Sequence, residues 1–281
     1  MNSAYFQFIL IDLLAILALV LTMRWLNRTW LHNKTARSGG INIDSAASML
    51  ALAIALSGVT AGEFSITLWS EWLLVTGYGI FAILFLRLGA IFLDKWVLPT
   101  LKLNAELEGG NTSAAYLMGA HLIGTAIILR AAMEWVASDV NLDFQDMSLS
   151  ILALFCGFVI SQLLLAFESR IRLNMGQERI LGAVSTGDQG QTLRACAQHI
   201  GAALAITGGA HFAAALEFEL ALAAIAWLLS SILFLLAFMA LTSLSVRIIV
   251  AAGDEQDEAG RPLIESAIYL GWGLILPALA S

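Results

Sequence analysis

Four ionisable side chains lie inside long apolar runs of the sequence: Asp12, His121, Arg130 and His199. An ionisable residue in the hydrocarbon region of a bilayer is costly, so each is a candidate functional residue. His121 and His199 could form a proton relay or a cation site, because an unperturbed imidazole has a pKa of about 6.5, and Asp12 could supply a partner carboxylate. The alternatives are neutral histidines hydrogen-bonded to neighbouring helices and an Asp12 hydrated near the membrane surface.

Arg130 also has two interpretations. Glu134 follows it by four residues, a spacing that brings two side chains together on one face of a helix. We expect an ion pair within that helix, with substrate binding by Arg130 as the alternative.

The spacing of the histidines and cysteines argues against metal, haem or nucleophile chemistry. His199 and His211 are separated by about 18 Å along one helix, and His121 alone cannot complete the ligand pairs of two haems. The sequence contains no His/Cys/Asp group with zinc-ligand spacing, no P-loop and no Gly-x-Ser-x-Gly elbow. Cys156 and Cys196 lie in apolar runs and are expected to be buried hydrophobic residues. We predict no enzymatic activity, no cofactor and no bound metal.

The elements that position these residues are expected to be membrane-spanning helices. Of 281 residues, 59% are hydrophobic and 12% are charged, whereas a soluble domain has about 25% charged residues. The net charge of −7 also disfavours nucleic-acid binding. A helix needs about 20 apolar residues to cross a bilayer, so we predict an all-α integral membrane protein with about eight transmembrane helices. The predicted spans are residues 4–24, 44–62, 69–93, 111–133, 147–167, 192–216, 220–246 and 262–280.

The charged residues divide between the two sides of these spans. Thirteen of the 14 basic residues lie in or beside the connections that follow spans one, three, five and seven, and the other connections are acidic. The positive-inside rule then puts the basic connections in the cytoplasm and both termini outside. We therefore expect a multi-pass protein of a bacterial inner (plasma) membrane, with periplasmic termini.

The spans also repeat as four helical hairpins that enter the membrane in the same direction. The second helix of each hairpin starts with a comparable run, at Asp44, Asn111, Gln191 and, more loosely, Leu263, and the first three residues suit helix N-caps. Small residues recur every fourth position in these helices, which permits close packing in lipid, so they should form the centre. We predict two fused four-helix modules, residues 1–138 and 139–281, built from parallel repeats.

Residues 106–124 resemble the signature of the YjfL-like bacterial inner-membrane family, catalogued as domain of unknown function 350. The signature is an Asn-centred helix start, an Ala pair and a later Gly, which Asn111, Ala114, Ala115 and Gly119 match; in the second half Gln191 replaces the Asn. The resemblance implies a packing role for the four residues and no known enzymatic activity. It also implies soluble cytoplasmic partners, because such membrane proteins tend to be encoded beside membrane-stress or stomatin-like proteins and peptide-ligase-like enzymes.

Two functions agree with these patterns. The first is a non-catalytic membrane subunit or scaffold for soluble membrane-stress or stomatin-like proteins, and its partners include the lipid bilayer and, as an option, further copies of the chain. The alternative is an ion channel or proton-coupled transporter that uses His121, His199 and Asp12. Convergence of these side chains on a water-accessible cavity favours transport, whereas separate, dry and hydrogen-bonded side chains favour the scaffold.

Overall fold

The protein consists of helices in the part of the chain that the computed structural model describes. These residues are 3–27, 29, 39–60, 67–98, 101–137, 144–174, 182, 184–216, 220–252 and 260–279. The helices are α1 (Ser3–Leu26), α2 (Gly39–Leu56), α3 (Leu68–Phe92), α4 (Leu103–Glu108), α5 (Thr112–Ala137), α6 (Phe144–Asn174), α7 (Gln189–Ala214), α8 (Leu220–Ala252) and α9 (Arg261–Ala278). A π-helical turn, Leu93–Val97, continues α3.

Each helix except the short α4 coincides with one of the eight predicted apolar segments. Five stretches are long and apolar enough to cross a membrane: Phe6–Leu26, Gly39–Leu56, Leu68–Val97, Thr112–Glu134 and Leu222–Ile249. The helices α7 and α9 contain polar residues such as Gln198 and Glu265, which lower their hydropathy. The described residues therefore form an all-helical protein with five candidate spans, and the count of eight spans stays a prediction.

Two predicted helix starts are wrong. α2 begins at Gly39, five residues before Asp44, because the apolar residues that precede Asp44 continue the helix. α7 is capped by Asp188, whose Oδ1 atom accepts a hydrogen bond from the backbone N–H of Gln191 at 3.1 Å. The third prediction is confirmed, since Asn111 lies directly before α5 and its Oδ1 atom accepts from backbone N–H groups of the first turn.

Four helices pack side by side in the order α2, α5, α7 and α9, and the most extensive helix contacts of the described structure lie along this row. Gly119 of α5 approaches α2 so closely that an added Cβ atom would lie 2.9 Å from the Cβ atom of Ala47. Gly273 of α9 faces Gly201 of α7, where an added Cβ atom would lie 2.6 Å from the opposite Cα atom. Small residues thus set the spacing of the central helices, as their fourfold periodicity predicts.

The remaining long helices, α1, α3, α6 and α8, lie outside this row. In α5, 78% of the most apolar stretch is buried, whereas in α1 only 22% of the corresponding stretch is buried. The exposed residues of α1 and α8 include large apolar ones such as Leu13, Leu17 and Leu233, as expected of a surface that faces lipid.

The end of the bundle at which α5, α7 and α9 begin is rich in arginine, and we call it the basic end. Arg170 of α6 donates a hydrogen bond of 2.8 Å to the carbonyl oxygen of Trp96, which joins α6 to the turn that continues α3. Arg194 lies in the second turn of α7, and Arg261 is the first residue of α9. Residues from four separate helical segments therefore lie at the basic end.

Candidate functional site

His121 and His199 meet where α5 contacts α7, at the centre of the row. The Nδ1 atom of His121 lies 3.0 Å from the Nε2 atom of His199, and the Nε2 atom of His121 lies 3.0 Å from the carbonyl oxygen of Gly89 in α3. The two histidines are only 2% and 5% exposed. The structure thus brings together two candidate residues from helices that are far apart in the sequence.

The partners of His121 determine which ring atoms carry hydrogen. A carbonyl oxygen only accepts hydrogen bonds, so the Nε2–H group of His121 donates to Gly89 and, in the neutral ring, Nδ1 is an acceptor. The Nε2–H group of His199 then donates to that Nδ1 atom. The result is a chain of two imidazoles that ends on a backbone carbonyl. Both nitrogens of His121 are engaged, so neither is available to a metal ion.

Polar side chains of α5 and α6 surround this pair. Gln162 of α6 lies beside the His121 ring, and its Nε2 atom donates to Oγ1 of Thr125 at 2.9 Å. Gln162 and Thr125 are themselves buried. We call His121, His199, Thr125, Gln162 and the Gly89 carbonyl the histidine cluster. It joins α3, α5, α6 and α7 through hydrogen bonds inside the bundle.

Gly124 sets the distance between α5 and α7 at the level of the histidine cluster. A Cβ atom added at Gly124 would lie 3.2 Å from the Cβ atom of Ala203 and 3.4 Å from the Cδ2 atom of His199. A larger side chain would therefore push the His199 ring away from its partner.

Polar side chains continue from the histidine cluster toward the basic end. Gln198, the residue before His199, donates to Oε1 of Glu168 in α6 at 3.4 Å. Glu168 is fully buried. Arg194 lies one helical turn nearer the basic end than Gln198 on α7. The stripe of polar residues therefore leads from the histidine pair to the end of the helix.

A buried ion-pair group closes this stripe at the basic end. Glu265 of α9 is 1% exposed and pairs with Arg194 of α7. Its Oε1 atom also accepts a hydrogen bond of 2.9 Å from Nε of Arg261. Two arginines thus share one buried carboxylate, which ties the start of α9 to α7.

On the other side of the histidine cluster the contact between α5 and α7 is apolar. Ile128 and Ile206 each follow the histidine of their own helix by seven residues, or two turns, and are 1% and 0% exposed. Ala202 and Ala203 belong to the same buried hydrophobic cluster. The polar stripe therefore ends at the histidine cluster and does not continue between α5 and α7 at that level.

Asp12 lies in a different part of the molecule. Its carboxylate interacts electrostatically with Glu71 of α3. Glu71 and Gly89 are 18 residues apart on the same helix, which is about 27 Å, so Asp12 is remote from the histidine pair. Asp12 is only 5% exposed, so the alternative of a hydrated residue at the surface does not describe it either.

Arg130 pairs with Glu134 along α5, as the four-residue spacing predicts. The Nη2 and Nε atoms of Arg130 lie 2.8 Å and 2.9 Å from Oε1 of Glu134. The Arg130 side chain is 49% exposed. The pair lies toward the opposite end from the basic end, away from the histidine cluster.

The residues of the 106–124 motif form a helix cap and a packing face. The Nδ2 atom of Asn111 donates to Oε2 of Glu106 at 3.0 Å and to the carbonyl oxygen of Val184 at 2.7 Å. Asn111 therefore connects α4, the start of α5 and the segment before α7. Ala114 and Ala115 are fully buried, and Gly119 contacts α2.

Comparison with protein-family models identifies the chain. The model of a Domain of Unknown Function (DUF350) matches residues 1–133 and, in a second copy, residues 68–208. The chain belongs to the DUF350 family. This confirms the predicted resemblance, and the two overlapping copies fit a family member with tandem modules. No curated protein and no solved structure matches this DUF350 chain.

Sequence reasoning missed several residues of the DUF350 protein that the structure joins to the candidates. Gln162 stands on the predicted apolar span 147–167 and Glu168 directly follows it, and their polarity there was a usable signal. Glu71 stands near the start of the predicted span 69–93, and its burial inside the bundle, at 3% exposure, was not predicted. The role of the Gly89 carbonyl as a hydrogen-bond acceptor could not be predicted from the sequence, because it depends on the packing of α3 against α5.

Proposed function

We propose that this DUF350 protein is a non-enzymatic membrane protein that moves protons, or a solute coupled to protons, with the His121–His199 pair as its proton-binding site. The observation that carries the proposal is the 3.0 Å hydrogen bond between the two imidazoles at the buried centre of the row. Imidazole is the side chain whose charge ordinarily changes between about pH 5 and 8. A buried pair of imidazoles is therefore suited to take up and release a proton.

The pair is suited to one extra proton and not to two. When the pair carries one extra proton, the hydrogen between Nε2 of His199 and Nδ1 of His121 can lie on either ring. The added charge is then shared by the two rings. Two imidazolium ions at this separation would repel each other, which disfavours a second proton.

The surrounding residues support access from the basic end. Glu168 and Gln198 extend the polar stripe from the histidine cluster toward Arg194, whereas Ile128 and Ile206 fill the interior on the other side. In this proposal, passage of a proton across the whole protein involves a separation of α5 and α7 at the two isoleucines. Such alternation between two access routes is the general mechanism of secondary transporters.

We also propose that all eight long helices cross a bacterial inner membrane, with the basic end in the cytoplasm and both ends of this chain outside. The helices beyond the five candidate spans, α6, α7 and α9, have 31, 26 and 18 residues, and even the shortest extends about 27 Å. The positive-inside rule supports the orientation. The two family matches overlap over residues 68–133, which supports a repeated hairpin unit; four such hairpins in two modules, 1–138 and 139–281, are part of this proposal.

Proton flux into liposomes tests the transport proposal. The purified protein is reconstituted with a pH-sensitive dye inside, a pH gradient is applied, and the rate of internal acidification is recorded. We expect flux above that of protein-free liposomes, and its loss in His121→Ala and His199→Ala. His211→Ala is the matched control, because His211 lies on the same helix as His199 but is exposed. Absence of flux, or equal flux from the His121→Ala/His199→Ala double variant, contradicts the proposal.

The burial of both histidines and the separate location of Asp12 favour a second candidate function, a scaffold subunit. Both ring nitrogens of His121 are hydrogen-bonded within the protein. Hydrogen bonds between membrane helices can have a purely structural role, which is to hold the bundle together. In that case the protein recruits soluble cytoplasmic membrane-stress or stomatin-like proteins, and further copies of the chain can join the assembly.

Recovery of partners distinguishes the scaffold from the transporter. The protein is purified in mild detergent, and the soluble proteins that accompany it are identified. The scaffold function predicts a reproducible soluble partner that the His121→Ala variant retains, together with no proton flux in liposomes. Recovery of no reproducible partner contradicts it.

A further inference from the structure

The helices α3 and α6 lie side by side and form a seam on the surface of the bundle. Phe85 of α3 stacks on Phe158 of α6, with their ring centroids 4.6 Å apart. Nearer the basic end, Arg170 of α6 donates its hydrogen bond of 2.8 Å to the carbonyl oxygen of Trp96. Both contacts join residues at nearly the same separation in the sequence, so the two helices run parallel and in register toward the basic end.

The outer side of this seam is apolar. Its exposed apolar side chains are Leu84, Leu88 and Ile91 of α3 and Leu163 and Phe167 of α6. Residues three or four positions apart lie on one face of a helix, so each set forms a stripe along its own helix. The other faces of α3 and α6 make hydrogen bonds to α5 in the histidine cluster. The two stripes therefore lie on the outside of the bundle, next to each other.

Each apolar stripe leads to an exposed basic residue at the basic end. Lys95 follows Ile91 by four residues, and Arg170 follows Phe167 by three. The hydrogen bond of Arg170 ends on Trp96, the residue next to Lys95, so the two cations lie at the same level. From Leu84 to Lys95 the stripe extends about 16 Å, which is about half the thickness of the hydrocarbon core of a bilayer.

The charges of Lys95 and Arg170 are available to an anion. Among the described residues, ion pairs are formed by other arginines and not by these two side chains. Asp94, the residue before Lys95, accepts a hydrogen bond of 3.0 Å from Asn104 through its Oδ2 atom. Glu168 of α6 is fully buried. A guanidinium has five N–H donors, so the contact with the Trp96 carbonyl leaves donors of Arg170 for a second partner.

Trp96 indicates the depth of these cations in the membrane. Its indole is 65% exposed and stacks on Phe92, with ring centroids 6.1 Å apart. Tryptophan is enriched where the hydrocarbon core meets the lipid headgroups. Because the carbonyl of Trp96 holds Arg170 and the next residue is Lys95, both cations lie at the level of the headgroups.

We propose that the seam of α3 and α6 binds one anionic phospholipid on the cytoplasmic side of the membrane. Lys95 and Arg170 bind its phosphate, and the apolar stripes contact its acyl chains. A phosphodiester group has two unesterified oxygens that share one negative charge. Arginine recognises such a pair of oxygens with two parallel hydrogen bonds, and lysine adds a compact positive charge. Basic pockets between membrane helices on the cytoplasmic side are sites of this kind.

This proposal rests on the membrane insertion and orientation given under the proposed function, and it does not depend on proton movement. Native mass spectrometry of the protein in detergent tests it, because bound lipids are counted one by one. Phosphatidylglycerol and the zwitterionic phosphatidylcholine, with the same acyl chains, are titrated separately. We expect the first phosphatidylglycerol to bind more tightly than phosphatidylcholine, and Lys95→Ala and Arg170→Ala each to weaken it by about fivefold.

Two further variants control for charge and folding. Arg247→Ala is the matched control, because Arg247 is also an exposed arginine near the basic end but lies on α8; it should leave the affinity for phosphatidylglycerol unchanged. Lys95→Arg keeps the positive charge and should retain the affinity. If Arg170→Ala, which also loses the hydrogen bond to Trp96, does not fold, Lys95→Ala alone decides.

Three results overturn the lipid site. The first is equal affinity for the two lipids, or a loss in Arg247→Ala as large as that in Lys95→Ala. The second is displacement of phosphatidylglycerol by equimolar glycerol phosphate, which indicates a site for free anions. The third is a dimer that excludes the lipid and dissociates in Phe167→Ser, which shows that a second copy covers the seam. The His121→Ala/His199→Ala variant should bind the lipid as the wild type does, so loss of proton flux and loss of lipid binding are separate outcomes.

Discussion

The imidazole of His121 accepts a hydrogen bond from the imidazole of His199 and donates one to the carbonyl oxygen of Gly89. This relationship connects α5 to α7 and to α3 at a level where the surrounding residues are almost entirely buried. Hydrogen bonds between membrane helices are worth little each, about 0.6 kcal/mol on average. These two hydrogen bonds therefore add a small amount to the stability of the protein. They also determine which ring nitrogens of His121 and His199 carry hydrogen.

Replacement of His121 by alanine should destabilise the protein. The substitution removes the partner of both His199 and the Gly89 carbonyl, and we expect the free energy of unfolding to fall by about 1 to 2 kcal/mol. Reversible unfolding in mixed detergent and SDS measures it. His211→Ala should leave the value unchanged, because His211 is exposed; equal losses in both variants would show that the hydrogen bonds contribute nothing specific.

The contact between α7 and α9 should not tolerate a methyl group at Gly201. An added Cβ atom there would lie 2.5 Å from the carbonyl oxygen of Tyr269, so Gly201→Ala must displace a backbone, at a cost of about 1 to 3 kcal/mol. Gly271→Ala is the control, because nothing lies within 4 Å of its added Cβ atom. That variant should match the wild type or gain about 0.5 to 1 kcal/mol, and thermal unfolding in detergent compares the two.

Removal of the charge of Glu265 should be more damaging than removal of the charge of Glu134. Glu265 is 1% exposed between two arginines whose side chains are 21% and 55% exposed, and loss of the charged hydrogen bonds of a buried carboxylate costs about 1 to 3 kcal/mol. The Glu134 side chain is 26% exposed, and such a pair contributes at most about 1 kcal/mol. Unfolding measurements on Glu265→Gln and Glu134→Gln test this order; equal losses would mean that Arg194 finds another partner.

Apolar runs of about 20 residues located all eight long helices, because the length of such a run is a property of consecutive residues. When the predicted helix starts at Asn111 and Gln191 are overlaid, His121 and His199 lie at comparable depths in their helices. Their contact could not be predicted in this way, since it depends on which faces of α5 and α7 meet. The buried position of Glu71 was missed for the same reason: near the start of a span, a carboxylate that faces water and one that faces α1 have the same sequence pattern.

The helix starts show which features of the fold local sequence patterns can predict and which they cannot. Asn111 was identified as an N-cap because its side chain acts on the backbone of the next turn. Asp44 has the same chemistry but lies inside α2, where it interacts electrostatically with Arg87 of α3. The interaction with Arg87 compensates the charge of the Asp44 carboxylate, which does not cap a helix. α2 therefore includes Asp44 and begins at Gly39.

Proton uptake by the histidine pair is the central claim, and ¹⁵N NMR of histidine-labelled protein in lipid tests it most directly. We predict that neutral His121 carries its hydrogen on Nε2, and that acidification adds a single proton to which the His121 and His199 signals respond together. The two other histidines of the chain, His32 and His211, are assigned with His32→Ala and His211→Ala. Separate titration of the two rings, with His121 unaffected by His199→Gln, or no proton uptake over the pH range in which the protein stays folded, would contradict the account.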